Sequence, residues 1–345
     1  MKVVHWTLHN GSGMANVARS CVESEKKLGI DSILANTFDE SLWGNTLDAD
    51  VHVSHTHIPR LAKARFTKKP KIVGVFHGTP EHVFQGSVEV AENGRYAPSN
   101  SFMIIQHDLQ RSDARVTFWP RHQAIYQQMV DWGTTVHCVP LGVERKFWEA
   151  GVSRGKYQGK PSVWTGENAH YIKWPLDLFL LWPWVAAELP EVQLHACYLP
   201  WDVHRFFFPL AYRTGAYYTA HIGPWTYPHE ELRHIFKSID FFIGLVRYGD
   251  FNRIALEANA TKGPKTISYA GNPYSDFWLP EGDQRVVAKE LLRILRGEVK
   301  PRAKTEVPDL EETSRAMQAI YKSILVKDAV RGVGSGKKTK GGRRG

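Results

Sequence analysis

A lone carboxylate, Glu257, lies in a short segment of otherwise apolar and small residues, FNRIALEANATKGPKTIS (251–268). Asn252 is a suitable N-cap for a helix that begins at Arg253, and the backbone N–H groups of residues 253–255 would then face an anion. A carboxylate one turn further along can accept two hydrogen bonds from a diol. The structural alternative is an ion pair between Arg253 and Glu257, but that order of charges is the less favourable one along the helix dipole. The segment is therefore a candidate site for a ligand that carries both phosphate and hydroxyl groups.

Histidines follow two of the apolar segments that are expected to be strands. His77 ends KIVGVFH (71–77), where it is well placed to meet a substrate; a hydrogen bond to a neighbouring loop carbonyl is the structural alternative. His55 and His57 in VSHTHIP end another strand and can line the same opening. Their HxH spacing has no Cys or acidic partner at a recognised metal-ligand spacing, so we expect no metal site.

Two glycine-containing loops are candidates for phosphate binding. The first expected strand leads into HNGSGMANVARS, where Gly11, Ser12 and Gly13 precede a helix and let the backbone approach an anion. The loop lacks the third glycine of a dinucleotide fingerprint, so a tight structural turn is an equal alternative. In SVWTGENAHYIKWPLDLFLLW, Lys173 stands just ahead of a helix and adds a positive charge to the oriented N–H groups, unless it is an ordinary surface lysine.

Apolar strand segments alternate with amphipathic helix segments up to about residue 147, and the alternation begins again near residue 161. Such alternation predicts an α/β fold with two doubly wound, Rossmann-like domains, whose ligands bind at the carboxyl ends of parallel strands. The expected divisions are a domain over 1–150, a domain over 151–308, a helix over 309–325 and a disordered basic tail over 326–345.

The net charge of +9 is concentrated near the end of the sequence, because 326–345 carries seven Lys and Arg against one Asp. A second basic run, RLAKARFTKKPK (60–71), lies within the expected first domain. Each run predicts either a solvated surface or contact with a polyanion such as DNA or with an anionic membrane. In the tail, such contact would fall on residues 337–344. The twelve Trp residues could stack on bases, but core packing is their default.

No apolar segment reaches the ~20 residues needed to span a bilayer, and MKVVHWTLHNG lacks the apolar core of a signal peptide. We therefore expect a cytoplasmic protein with no stable membrane insertion. The three cysteines, Cys21, Cys138 and Cys197, are too few and too far apart for a disulfide framework and are expected to be buried small residues.

The order of these features over residues 1 to about 325 resembles the retaining GT-B glycosyltransferases of the family 4 type. The resemblance rests on Gly11–Gly13, VFH (75–77), CVPLGVERKF (138–147), TGENAHYIKW (165–174), Ile239 with Asp240, GDFNRIALEANATKGPKTI (249–267) and GNPYSDFWLPEGD (271–283). It implies the GT-B fold, with two Rossmann-like domains facing a central cleft. It also implies that Tyr321 lies in a final helix that crosses back to the first domain.

The resemblance assigns a role to each matching residue. Glu257 would bind the ribose of a nucleotide-sugar donor, and Lys173 would bind its diphosphate. The loop Gly11–Gly13 would approach the diphosphate and the acceptor, and His77 would touch the transferred sugar.

Two positions depart from the family pattern. Glu167 stands where the family has an arginine, and Gly249 stands where it has the first acid of a paired-acid motif, with Asp250 as the candidate substitute. The expected catalytic residues are His77, Lys173 and Asp250, and the expected donor-binding residues are Gly11, Ser12, Gly13, Glu167, Lys173, Asn252, Arg253, Ile254 and Glu257.

The implied reaction moves a hexosyl or pentosyl group from a UDP-, GDP- or ADP-sugar to an acceptor hydroxyl with retained configuration, without a metal or another cofactor. The leaving phosphate would take the proton of the acceptor. The expected acceptor is a cell-envelope glycan or lipid carrier, reached from the cytoplasm or the inner membrane face. The alternatives are a phage-type DNA glycosyltransferase that acts on hydroxylated bases in a host cytoplasm, and a nonenzymatic nucleotide-sugar-binding protein of the same fold.

Overall fold

The chain divides into two units, one formed by Met1–Leu141 with Leu310–Gly345 and the other by Gly142–Asp309. The structure is a computed structural model that describes residues 1–7, 13–77, 88–90, 96–98, 111–130, 134–155, 157, 159–166, 176–196, 220–222, 227–246 and 253–334.

Strands and helices alternate along both units. The earlier elements are β1 (Lys2–Thr7), α1 (Gly13–Lys27), β2 (Asp31–Asn36), β3 (Val51–Ser54), α2 (Arg60–Ala64), β4 (Lys71–Phe76), β5 (Val88–Val90), β6 (Tyr96–Pro98), β7 (Ala114–Thr117), α3 (Pro120–Met129) and β8 (Val136–Cys138). The later elements are α4 (Arg145–Glu149), β9 (Ser162–Thr165), α5 (Leu176–Glu188), β10 (Gln193–Ala196), β11 (Ala220–Ile222), α6 (His229–Ser238), β12 (Phe241–Gly244), α7 (Arg253–Ala260), β13 (Lys265–Tyr269), β14 (Phe277–Leu279), α8 (Gln284–Leu295) and α9 (Leu310–Gly334).

The first unit is built on a parallel sheet that has six strands in the described residues, in the order β2-β1-β3-β4-β7-β8. Strand β2 lies on one side of β1, and β3 with the later strands lies on the other side. The strand order therefore reverses between β1 and β3. Open parallel sheets bind ligands at the carboxyl ends of the strands that flank such a switch point. His55 directly follows β3 and His77 directly follows β4, which places both histidines at this edge of the sheet.

Strand β1 separates an apolar face of this sheet from a polar one, because successive side chains of a strand point to opposite faces. Trp6 packs edge-on against Trp43, with 5.8 Å between ring centroids, and its indole N–H donates to Nδ1 of His52 over 2.8 Å. On the other face, His5 contacts Glu25 of helix α1. Trp6 therefore lies in a packed, largely aromatic core that includes His52, and His5 meets an acid on the opposite face.

The second unit is built on a parallel sheet whose described strands number six, in the order β11-β10-β9-β12-β13-β14. This is the strand order of dinucleotide-binding folds, with the switch point between β9 and β12. Helices α5 and α8 pack on this sheet through a buried apolar cluster that includes Leu178, Leu181, Trp182, Val287 and Leu291. The two doubly wound α/β sheets expected from the sequence are confirmed.

Two segment limits differ from those expected. The units divide between Leu141 and Gly142, ahead of the expected limit at 150, because α4 packs into the second unit through Trp148, whose ring lies 6.0 Å from that of Phe236. Helix α9 continues to Gly334 and so includes the beginning of the tail expected to be disordered from 326. The residues VKDAVR can extend a helix, and the glycines that follow favour its end.

Among the described helices, none is both long enough and apolar enough to cross a membrane. Cys21 is buried, Cys138 is partly buried and neither forms a disulfide, while Cys197 lies outside the described residues.

Candidate functional site

The carboxyl end of β9 packs directly against the start of helix α7. Gly166 follows β9, and a Cβ atom at this position would lie 2.4 Å from Cδ1 of Ile254 and 2.4 Å from the indole ring of Trp164. A residue without a side chain therefore lets the first turn of α7 approach this strand closely. The order of the strands reverses between β9 and β12. The N-terminus of α7 therefore lies where folds of this type bind their ligands.

Glu257 forms an ion pair within α7. Nε of Arg253 donates to Oε1 of Glu257 over 2.8 Å, and the two side chains are only 13% and 6% exposed. The sequence favours a ligand-facing carboxylate over this pair, because Arg precedes Glu along the helix dipole. The structure shows that the pair does form: it is withdrawn from solvent, where the attraction between opposite charges is stronger than at a surface. The ligand-binding role of Glu257 stays a prediction. The pair fixes the carboxylate near the switch point and occupies Oε1.

A polar network anchors the far end of α7. Nδ2 of Asn259 donates to the carbonyl of Ala255 over 3.0 Å, while its Oδ1 accepts from Nζ of Lys304 over 2.8 Å and from Oγ1 of Thr266 over 3.1 Å. Asp276 accepts from the same Nζ over 2.9 Å and from the backbone N–H of Thr266 over 2.8 Å. These linked bonds hold α7 against β13, so Glu257 lies on a rigid element.

Several of the expected donor-site residues lie outside the described residues, namely Gly11, Ser12, Glu167, Lys173, Asp250 and Asn252. Gly13 is the first residue of α1, and a Cβ atom there would have no described protein atom within 4 Å. Arg253, Ile254 and Glu257 are brought together on α7. The donor-binding roles of all these residues remain predictions.

His77 belongs to a chain of hydrogen-bonded side chains that crosses the sheet of the first unit. Its Nε2 lies 2.8 Å from Nδ1 of His55, and Nε2 of His55 lies 2.9 Å from Nδ1 of His5. Nε2 of His5 lies 2.9 Å from Oε2 of Glu25 on α1. The chain therefore connects the carboxyl end of β4 with a fully buried acid. It also gives His77 an imidazole partner, His55, which the sequence analysis did not consider beside a substrate or a loop carbonyl.

Glu25 is held as a carboxylate by three donors. Besides His5, Oγ of Ser32 donates to Oε2 over 2.7 Å and the hydroxyl of Tyr321 donates to Oε1 over 3.0 Å. Burial by itself raises the pKa of Glu25, but the charge of His5 and the hydrogen bonds from His5, Ser32 and Tyr321 outweigh burial and lower it. Burial, together with the charge of Glu25, raises the pKa of Tyr321 well above its ordinary value, so the phenol remains a donor.

His55 is neutral. Burial lowers its pKa well below the ordinary value, and the neighbouring His77 and His5 lower it further. The other histidine of the HxH motif, His57, has its ring edge-on to Phe38 at a centroid distance of 5.8 Å. Within the part of the chain that the structure describes, no three His, Cys, Asp or Glu side chains are placed so that they could hold one metal ion.

Two buried members of this chain, His5 and Glu25, are not site residues that the sequence identifies, whereas His55 is. Two signals point to them: His5 interrupts the apolar strand β1, and Glu25 lies at helical spacing from the buried residues Ala18 and Cys21. An acid on a buried helix face needs a partner, because an unpaired charge there is costly. Which histidine becomes the partner of Glu25 depends on how the strands of the sheet are ordered in space.

Acids neutralise part of the basic run at 60–71. Its paired cations include Lys68 with Asp50 at 2.6 Å, Lys71 with Asp113 at 3.1 Å and Arg65 with Glu40 at 3.8 Å. Such pairing weakens the positive field of this surface, which favours a solvated face over a DNA contact. The tail at 337–344 lies outside the described residues.

No known protein family and no curated protein matches the sequence. Solved structures do match the fold. The sucrose-phosphate synthase from Thermosynechococcus elongatus has a TM-score of 0.64 at 13% identity, over 98% of this chain and 100% of that chain. HepE from Anabaena, solved in complex with UDP-glucose, has a TM-score of 0.60 at 10% identity, over 96% and 100%. The lipopolysaccharide outer core galactosyltransferase WaaB has a TM-score of 0.59 at 13% identity, also over 96% and 100%.

These structural neighbours are GT-B glycosyltransferases. The two parallel sheets of this chain, each with helices between its strands, therefore have the GT-B fold, and the fold expected from the sequence is confirmed.

Proposed function

We propose that this protein is a retaining glycosyltransferase of the family 4 type, which moves a sugar from a nucleoside-diphosphate sugar to an acceptor hydroxyl. The observation that carries the proposal is the placement of α7 on a GT-B fold: its N-terminus and the buried carboxylate of Glu257 lie at the β9/β12 switch point. The similarity to HepE, which was solved with UDP-glucose, supports a donor of this class.

The donor is held by its ribose and its diphosphate. Arg253 occupies Oε1 of Glu257 and orients the carboxylate, so that Oε2 can accept from a ribose hydroxyl. The N–H groups at the start of α7, with Asn252 and Ile254, face the diphosphate, and Lys173 adds a positive charge. From the sequence alone, we also propose donor-binding roles for Glu167 and for Gly11, Ser12 and Gly13.

The chemistry requires stabilisation of an anionic leaving group more than it requires a protein nucleophile. As the bond between the anomeric carbon and the diphosphate oxygen breaks, the start of α7 and Lys173 stabilise the negative charge that forms on the diphosphate. The acceptor oxygen bonds to the anomeric carbon on the same face, and its proton passes to the leaving phosphate. The roles that we propose from the sequence for His77 and for Asp250 are contacts with the transferred sugar, and the proposed reaction uses no metal.

We place the acceptor among cell-envelope glycans and lipid carriers on the cytoplasmic side, rather than in DNA. The pairing of Lys68 and Lys71 with acids removes part of the charge that a DNA-binding face would need. The fold similarity to WaaB, a galactosyltransferase of the lipopolysaccharide outer core, supports a glycan acceptor. Salt-dependent binding of duplex DNA to the full chain would favour the DNA alternative instead.

The proposal is tested by titrating the full chain with UDP, GDP and ADP and then assaying the corresponding nucleotide sugars for transfer and hydrolysis. We expect one nucleotide to bind and raise the melting temperature, and Glu257→Gln to weaken that binding at least about tenfold, roughly 1.4 kcal/mol. Glu311→Gln is the matched control, because Glu311 also pairs with an arginine four residues away, on α9. Binding without turnover would support the nonenzymatic alternative, and binding of none of the three nucleotides would refute both.

A further inference from the structure

A groove of about 640 Å³ runs between helices α5 and α8 of the second unit. Ala288 and Leu292 of α8 form its floor and are only 4% and 7% exposed. Trp184 of α5 forms one wall and is 45% exposed. Ligand sites have volumes of about 300–1,000 Å³ and mostly apolar linings, so the groove is of a suitable size and character to hold a ligand.

One end of the groove is closed by the last residues of the two helices. Nη2 of Arg296, which follows α8, donates to the carbonyl of Glu188 at the end of α5 over 3.1 Å and lies 3.5 Å from Oε2 of the same residue. Trp184 precedes Glu188 by one helical turn and Leu292 precedes Arg296 by one turn, so the indole lies beside the apolar floor. The groove continues from there towards the start of α8, at Arg285.

The net positive charge of the groove lies towards the start of α8. Arg285 and Lys289 are one turn apart, and among the described residues neither has an ion-pair partner for its side chain. Asp283 caps the helix by accepting from the backbone N–H of Arg285. Further along α8, Arg293 is neutralised by Glu290 at 2.7 Å. The groove therefore attracts an anion at Arg285 and Lys289 and not evenly along its length.

The ring of Trp184 is available for stacking. Within the part of the chain that the structure describes, no aromatic ring and no cation lies against it. Trp278 of the same unit is 39% exposed, but the guanidinium of Arg302 covers its ring at 3.7 Å from the centroid. An exposed indole in a concave surface offers an apolar face to a ligand.

We propose that the groove binds an anionic glycan, with a sugar ring stacked on Trp184 and the acidic groups of the glycan bound by Arg285 and Lys289. The C–H groups on one face of a sugar ring give that face an apolar character that suits an indole. The side chains of Arg and Lys are donors only, so they require a ligand that supplies acceptors, as acidic groups and hydroxyls do.

The construction of the groove favours a glycan over a lipid bilayer or an extended peptide. A flat bilayer would meet the rim but would not reach the buried floor at Ala288 and Leu292. An extended peptide binds chiefly through main-chain hydrogen bonds to a sheet edge, whereas the two helices that form the groove use their backbone groups internally. A glycan needs only the side chains that the groove presents.

The groove lies on α5 and α8, away from the start of α7, and glycan binding there goes beyond the proposed function. Its link to catalysis rests on that function: the groove holds a distal part of an acidic acceptor glycan while the terminal hydroxyl of the glycan reacts. Binding itself requires neither a donor nucleotide nor turnover. A failure to bind glycan is therefore distinguishable from a failure of the proposed enzyme activity.

The proposal is tested by calorimetric titration of the full chain, without nucleotide, with hexagalacturonate. Maltohexaose is the neutral control, and hexaglutamate is the control that carries carboxylates without sugar rings. We expect hexagalacturonate to bind most tightly, and its affinity to fall between about 50 mM and about 300 mM NaCl because salt screens the cations. No binding of hexagalacturonate, or equal binding of either control, would overturn the proposal.

The cations are tested by the double variant Arg285→Gln with Lys289→Gln. We expect it to bind hexagalacturonate at least about tenfold more weakly and with less dependence on salt. The matched control is Arg154→Gln with Lys265→Gln, which removes two exposed cations of the same unit outside the groove. An equal loss in the two double variants would show that the net charge of the protein drives binding, and would overturn the site.

The indole is tested by Trp184→Leu, with Trp278→Leu as the control for a tryptophan that is already covered. We expect Trp184→Leu alone to weaken binding at least about fivefold and to leave the salt dependence unchanged, since no charge is removed. Affinity for hexagalacturonate that is unaffected by Trp184→Leu would overturn the stacking contact and with it the proposal.

The position of the ligand is tested by ¹⁹F spectra of protein labelled with 5-fluorotryptophan. The resonances of Trp184 and Trp278 are assigned as those missing from the corresponding Leu variants. We expect hexagalacturonate to shift the resonance of Trp184 and not that of Trp278. A Trp184 resonance that responds to phosphatidylglycerol vesicles but not to hexagalacturonate would make this surface a membrane contact and would overturn the proposal.

Discussion

The hydroxyl of Tyr321 donates to Oε1 of Glu25 over 3.0 Å, which ties the last helix, α9, to the first helix, α1. Both side chains are fully buried. The hydroxyl Oγ1 of Thr313, near the start of α9, also donates to the carbonyl of Pro140 over 2.7 Å. Helix α9 is thus part of the first unit, and its contact with Glu25 stabilises the buried end of the histidine chain.

Tyr321→Phe should lower the free energy of unfolding by about 2 kcal/mol, because it removes a buried hydrogen bond to a charged group. Urea denaturation measures the loss. Tyr269→Phe is the matched control, since Tyr269 donates to Asp177 over 2.5 Å inside the second unit. We expect both variants to lose stability, because each loses a buried hydrogen bond to a carboxylate. A loss below about 0.5 kcal/mol for Tyr321→Phe would mean that the bond contributes little.

Gly166→Ala should displace the start of α7. The new Cβ atom would lie 2.4 Å from Ile254 and from Trp164, and overpacking of this kind costs about 1–3 kcal/mol. Because the displaced turn contains the N–H groups proposed to face the diphosphate, we also expect nucleotide affinity to fall at least about tenfold. Gly44→Ala is the control, since a Cβ atom at Gly44 meets no described atom within 4 Å. Unchanged affinity with reduced stability would separate α7 from the nucleotide site.

The two sheets could be predicted from the sequence because short apolar segments and amphipathic segments alternate, and that alternation fixes parallel strands and crossover helices. The helix at 253–260 could be predicted for a similar reason, from a small-residue segment between two strands. In both cases the local pattern of residues is sufficient to predict the element.

The histidine chain could not be predicted, because His5, His55 and His77 meet only through the neighbouring order β1-β3-β4. Strand order depends on the packing of the whole unit, and no spacing in the sequence states it. The ion pair between Arg253 and Glu257 could not be predicted for a related reason: the dipole argument applies to an exposed helix, and the burial of Arg253 beside Glu257 is a tertiary property.

Arg253→Met should lower the free energy of unfolding by about 3 kcal/mol, because it leaves the buried carboxylate of Glu257 without its cation. The double variant Arg253→Met with Glu257→Met should recover most of that loss, since it removes both charges and keeps apolar volume. Urea denaturation of the two single variants and the double variant measures the coupling. Additive losses in the double variant would contradict a buried pair.

His52 should make the protein sensitive to acid. Its side chain is fully buried, with Nδ1 accepting from the indole of Trp6 over 2.8 Å and its ring 4.2 Å from that of Phe66. Burial, with a smaller contribution from the charge of Lys68, lowers the pKa of His52 from 6.5 to about 4. The unfolded chain thus takes up this proton near pH 6.5, whereas the folded chain takes it up only near pH 4.

Between these two pH values the unfolded state binds more protons at His52 than the folded state does. The contribution of His52 to stability is therefore complete above pH 6.5 and is lost as the pH falls towards 4. The total loss should approach about 3 kcal/mol. His52→Gln keeps an acceptor for Trp6 and does not titrate, while Glu25 and His55 titrate equally in both proteins. Urea denaturation at a series of pH values should therefore show a shallower decline for His52→Gln, and parallel declines would mean that His52 does not stay neutral in the folded protein.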